Sequence, residues 1–88
     1  MRVSVVQMSP TADKTENIAQ ARSLIAGVVA SERPDLVALP EIWTCLGGGR
    51  EQKFAAAEAL PEPGDTGGAA YEFLRQMAIA NGIHVHGG

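Results

Sequence analysis

Leu36-Val37-Ala38-Leu39 is an unbroken apolar run that ends at Pro40, and the first charge after it is the carboxylate of Glu41. A strand with one wet face alternates apolar and polar residues. A parallel strand covered on both sides reads instead as a continuous apolar run. The run therefore predicts an interior parallel strand with helices over both faces, and it raises the question of why an acid stands at its mouth.

The flanking segments fit that prediction. Val3 to Met8 is short and β-branched and ends at Ser9-Pro10, which reads as a first strand. Asp13-Lys14-Thr15-Glu16 resembles a capping box, with Asp13 accepting from the Glu16 amide and Glu16 reaching back to the Asp13 amide. Behind it Ile18, Ala21, Ile25 and Val28 recur at helical spacing, widened by Leu24 and Val29. Pro34 stops that helix by forcing Arg33 out of the helical region. Gly47-Gly48-Gly49 marks a flexible loop, and a second helix is expected from Arg50 to Leu60, ended by the turn Pro61 to Asp65. A third helix is expected over 69–81, with Ala70, Phe73, Leu74, Met77 and Ala78 on its apolar face and Gly82 as a left-handed cap. Ile83-His84-Val85-His86 then alternates as a last strand.

The order strand-helix-strand-helix-helix-strand argues for an α/β fold with parallel pairing through right-handed crossovers. Three parallel strands form a thin sheet with exposed edges, and the last strand has no closing helix. Residues 1–88 are therefore expected to be the N-terminal portion of a longer, here incomplete, domain.

Composition narrows the function. The 88 residues carry a net charge of −3, with seven Lys and Arg that lie singly rather than in a stripe, so a nucleic-acid partner is not expected. The apolar run after Met1-Arg2 is too short for a signal-peptide core, and no segment approaches a membrane span. One cysteine cannot form an internal disulfide, and the expected location is the cytoplasm.

Glu41 is the leading candidate for chemistry. Ligands of open α/β sheets bind outside the carboxyl ends of the strands. Flanking Pro40, Ile42 and Trp43 would partly desolvate the carboxylate and make it a better base near neutral pH. The competing account is a solvated loop acid, or one capping a nearby amide. Cys45, four residues on, is read as a small semi-buried hydrophobe, since a neighbouring carboxylate disfavours the thiolate. His84 and His86 fall on one strand face and could, with Glu41, hold a metal; a hydrogen-bonding wall residue is at least as good an account of His86. Gly47-Gly48-Gly49-Arg50 matches no phosphate-loop pattern. Trp43 is read as a packing anchor.

Several segments resemble one family in order: Val3 to Met8, Asp13 to Ile25 with Asn17-Ile18 and Ala21, Pro34 to Glu41, Pro63-Gly64-Asp65, Met77-Ala78, and Gly82 to Gly88. Together they are similar to the N-terminal third of the carbon–nitrogen hydrolases, the nitrilase superfamily. The resemblance implies an α/β/β/α sandwich and a Glu-Lys-Cys triad that hydrolyses non-peptide C–N bonds, with Glu41 as general base. No cofactor or metal is implied. The implied partner is a small linear amide, with the parent a homo-oligomer; the general look leans toward the ω-amidase and deaminated-glutathione-amidase group. Lys14, Lys53 and Cys45 do not match the family's lysine and cysteine positions, so one triad member of three is present and the segment alone is expected to be inactive. The alternatives are an inactive interaction module and a small His/Glu metal-binding protein.

Overall fold

The computed structural model describes residues 1–88. Three strands, β1 (Val3–Val5), β2 (Leu36–Ala38) and β3 (His84–His86), form a wholly parallel sheet in the order β1-β2-β3. Helix α1 (Lys14–Glu32) connects the first pair, and α2 (Arg50–Ala56) and α3 (Ala69–Asn81) connect the second. The apolar run is indeed central: Val37 pairs with Ser4 on one side and Val85 on the other.

The core corrects one expectation. Val6, Val37 and Leu39 pack with Ala21 and Ile25 of α1 and with Ala70, Phe73 and Met77 of α3, so both helices lie on the same face of the sheet. The opposite face carries Val3, Val5, His84 and His86, all exposed, with Leu36 and Ala38 half-buried between them. Leu36 and Ala38 make the run continuous because they stand on an apolar face that these residues leave open. A continuous run reports that both faces are apolar, not that both are covered.

The first helix starts and stops by means the sequence shows only in part. Asp13 Oδ1 accepts from the Glu16 amide at 3.2 Å. The reciprocal half of the box is absent. The Asp13 amide donates to Thr11 Oγ1 at 3.1 Å, and the Thr11 hydroxyl donates to Glu16 Oε2 at 3.3 Å, so Thr11 takes over the second role. At the other end Arg33 adopts φ 47, ψ 58 and donates its amide to the Val29 carbonyl, a left-handed cap rather than the extended geometry that Pro34 favours. Arg2 Nη1 donates to the Glu32 carbonyl at 2.6 Å, a cation at the negative end of the helix.

Helix α2 ends at Ala56, four residues short of the expected Leu60, and buries no residue. With no apolar stripe against the core, it is held at its two ends, where the Gly49 amide donates to Gln52 Oε1 at 2.7 Å and Lys14 Nζ donates to the Ala56 carbonyl. The chain then extends at Ala57, which frees Glu58 for the N-terminus of α3. Helix α3 follows its sequence pattern closely, with Gly82 left-handed at φ 63. No helix is long and apolar enough to cross a membrane.

Candidate active site

Glu41 begins a turn, Glu41 to Thr44, directly beyond the C-terminal end of β2. Upstream the chain is held to the sheet, because the Leu39 amide donates to the His86 carbonyl at 2.8 Å. Downstream Trp43 is only 3% exposed and packs on Phe73 of α3, ring centres 5.8 Å apart and tilted by 51°. The Arg22 guanidinium lies 5.1 Å from the centre of the same Phe73 ring. The packing role expected for Trp43 is what the structure shows.

Between these anchors Ile42 takes φ 55. A β-branched residue in the left-handed region is a genuine outlier, with a cost on the order of 1–3 kcal/mol that the surroundings must offset. Ile42 is 61% exposed, so burial of its own side chain does not explain that conformation. Asn17 of α1 is fully buried; its Nδ2 donates to the carbonyls of Thr11 and Thr44, and its Oδ1 accepts from the Thr11 amide, each at 2.8 Å. The loops following β1 and β2 are thereby tied to one side chain.

The end of β3 closes on the same point. A Cβ on Gly88 would lie 2.6 Å from the Pro40 carbonyl oxygen and 2.9 Å from Glu41 Cα, and Gly88 is itself left-handed at φ 85. Only glycine lets the backbone approach Glu41 this closely.

Glu41 itself is exposed and makes no side-chain hydrogen bond or ion pair in residues 1–88. The desolvation expected from its apolar neighbours does not occur, because Trp43 turns into the core, Ile42 points outward, and nothing lies over the carboxylate. Nor is it drawn into a metal site: no three His, Cys, Asp or Glu residues converge. His84 and His86 do share the open face, and His86 Nδ1 accepts from the Gly88 amide at 3.2 Å. Cys45 is buried, as expected of a small hydrophobe, with its Sγ 3.6 Å from the Ala12 carbonyl. An open hollow of about 300 Å³ beside the turn is lined by Ile42, Thr44, Cys45 and Lys53, but Glu41 does not line it.

A model of the carbon–nitrogen hydrolase family matches residues 2–88, nearly the whole chain. This chain belongs to the carbon–nitrogen hydrolase family. No individual curated protein matches it. Family membership and the parallel sheet agree: the chain has the α/β architecture expected of the N-terminal part of a carbon–nitrogen hydrolase.

The residues that the sequence pattern did not single out are polar. Glu58 forms an ion pair with Lys14 and accepts from the amides of Ala70 and Tyr71 at 2.8 and 3.0 Å. Lys14 Nζ also donates to the Ala56 carbonyl at 2.9 Å. Burial opposes ionisation of Glu58 and is the largest single influence. The hydrogen bonds from Lys14, Ala70 and Tyr71, with the Lys14 charge, outweigh it and hold the carboxyl below its ordinary value. The only sequence signal was indirect: Gly68 at the start of α3 has no side chain to cap its own helix.

Proposed function

We propose that residues 1–88 are the N-terminal portion of a carbon–nitrogen hydrolase domain, and that the complete protein hydrolyses small linear amides with Glu41 as the general base. The observation that carries this reading is the place of Glu41, at the C-terminal end of the central strand of a chain that matches the family over residues 2–88. In the proposed reaction a cysteine thiol attacks the amide carbon while Glu41 takes its proton. A lysine ammonium stabilises the oxyanion, Glu41 passes the proton to the nitrogen so that ammonia or an amine leaves, and water, deprotonated by Glu41, cleaves the thioester to the acid and restores the thiol.

Neither partner comes from this segment. Lys14 is committed to Glu58, Lys53 stands on the exposed α2, and Cys45 faces the Ala12 carbonyl. The carboxylate is solvated here, so the desolvation that would sharpen it as a base has to come from polypeptide or substrate covering the strand ends. An ω-amidase-like preference, a homo-oligomeric parent and a cytoplasmic location belong to the same proposal.

The test is ammonia release from a panel of small linear amides, including glutamine-like ones, by the full-length gene product. Glu41→Gln is expected to lower kcat by about 10²–10⁴-fold, and residues 1–88 alone are expected to release none. A fully active Glu41→Gln enzyme would refute the assignment.

A second reading is an interaction module, favoured by the open sheet face of Val3, Val5, Leu36 and Ala38. Concentration-dependent sedimentation of residues 1–88 supports it; a monomer at all concentrations counts against it.

A further inference from the structure

Asn17 is the one polar residue in the buried core, and it spends every hydrogen bond on loops rather than on its own helix. Packing does not require this. An apolar side chain of the same size would fill the volume, but it would leave the Thr44 carbonyl and the Thr11 amide unpaired, while the Thr11 carbonyl would keep the Leu46 amide at 2.8 Å. Both Nδ2 protons and the Oδ1 acceptor are used, which only an amide supplies. Two of these bonds shape the loop after β1; the third holds the Thr44 carbonyl, the last residue of the turn that Glu41 begins.

That third bond has a consequence for Glu41. Leu39 is held to the sheet, and Trp43 is buried against Phe73. With Thr44 also held, the chain must reverse within Pro40 to Trp43, and Ile42 absorbs the reversal by turning left-handed. Its exposed side chain gains nothing from doing so. The direction in which Glu41 leaves the sheet is therefore set by the anchors on either side of Ile42.

We propose that Asn17 is a positioning residue for Glu41: by holding the Thr44 carbonyl, its buried amide maintains the left-handed turn at Ile42 and so aims the Glu41 carboxylate. The inference rests on the reading of Glu41 as the general base, and its test separates the two.

Asn17→Asp keeps an acceptor for the Thr11 amide but sets a carboxylate oxygen against the Thr11 and Thr44 carbonyls. In isotope-labelled residues 1–88, the strong intraresidue amide–Hα cross-relaxation that marks a left-handed residue is expected at Ile42. It is expected to be lost in Asn17→Asp while the sheet amides of Val37 and Val85 keep their positions. In the full-length enzyme the same substitution is expected to lower kcat by about 10²-fold at unchanged KM, as a small misplacement of a reacting group does. A folded Asn17→Asp chain with an undisturbed Ile42, or an enzyme with undiminished kcat, overturns the proposal.

If Asn17→Asp does not fold, Ile42→Gly answers the same question. With the anchors intact, the substituted position stays left-handed and the Glu41 resonances stay in place. Displaced Glu41 resonances would show that the Ile42 side chain, not the Asn17 anchor, aims the carboxylate. Failure of the general-base reading shows separately, as an active Glu41→Gln enzyme with the Ile42 signature unchanged.

Discussion

Lys14, in the first turn of α1, and Glu58, in the connection between α2 and α3, form an ion pair across 44 positions of sequence (58 − 14). The carboxylate does more than neutralise the lysine. It caps α3 from outside, accepting from Ala70 and Tyr71, and Lys14 also holds the last carbonyl of α2. One pair thus fastens three helices, and α3 carries the Phe73 ring on which Trp43 is seated.

Removing that cap is expected to destabilise the chain by about 1–3 kcal/mol, from two lost amide hydrogen bonds and a half-buried lysine left without its partner. Glu58→Ala and Gly68→Ala act on the same contact, since a Cβ on Gly68 would overlap the Glu58 carboxyl group. Urea midpoints of the two single variants and the double variant check this. The double variant is expected to lose clearly less than the sum of the singles.

Acid sensitivity follows from the lowered Glu58 value. A carboxyl depressed in the folded state contributes stability that is fully present above its unfolded value, near 4.5, and is lost as pH falls through the lower folded value. Thermal midpoints from pH 7 to 3 are therefore expected to separate the native chain from Glu58→Gln by a constant margin down to about 4.5. Below that the margin narrows. A margin that widened in acid would contradict the sign.

Trp43→Ala removes the anchor of the Glu41 turn and opens a cavity against Phe73. The expected loss is about 3–5 kcal/mol, a large share of the stability available to a chain of this length. Circular dichroism at 25 °C is expected to show a substantially unfolded population, whereas Glu41→Gln, on an exposed side chain, leaves the melting curve within experimental scatter.

Arg33→Gly tests the left-handed end of α1. Relief of a positive φ at a non-glycine residue outweighs the extra chain entropy of glycine by about 0.5–1 kcal/mol, so the thermal midpoint is expected to rise. A fall would mean that the Arg33 side chain contributes more than its backbone geometry costs.

Much of the architecture is legible in the order of the residues. The helical spacing of Ile18, Ala21, Ile25 and Val28 and of Ala70, Phe73 and Met77 marks the two faces that bury, and Gly82 marks the stop of α3, because these are local patterns with one physical solution each. The length of α2 was not legible. Its Ala-rich sequence is helical by propensity through Leu60, but no core contact extends it and Glu58 is recruited elsewhere.

For the site, local pattern determined that Glu41 lies just past the end of the central strand, that Trp43 packs and that Cys45 is buried. Only the tertiary structure decided the rest. It placed both long helices on one face, left Glu41 in solvent, drew His84 and His86 away from any third ligand, and joined Lys14 to Glu58 and Asn17 to Thr44. The physical reason is range. Periodicity and capping act between residues a few positions apart, whereas burial of Glu41 and the partners of Asn17 and Glu58 depend on which distant loops the crossovers bring together.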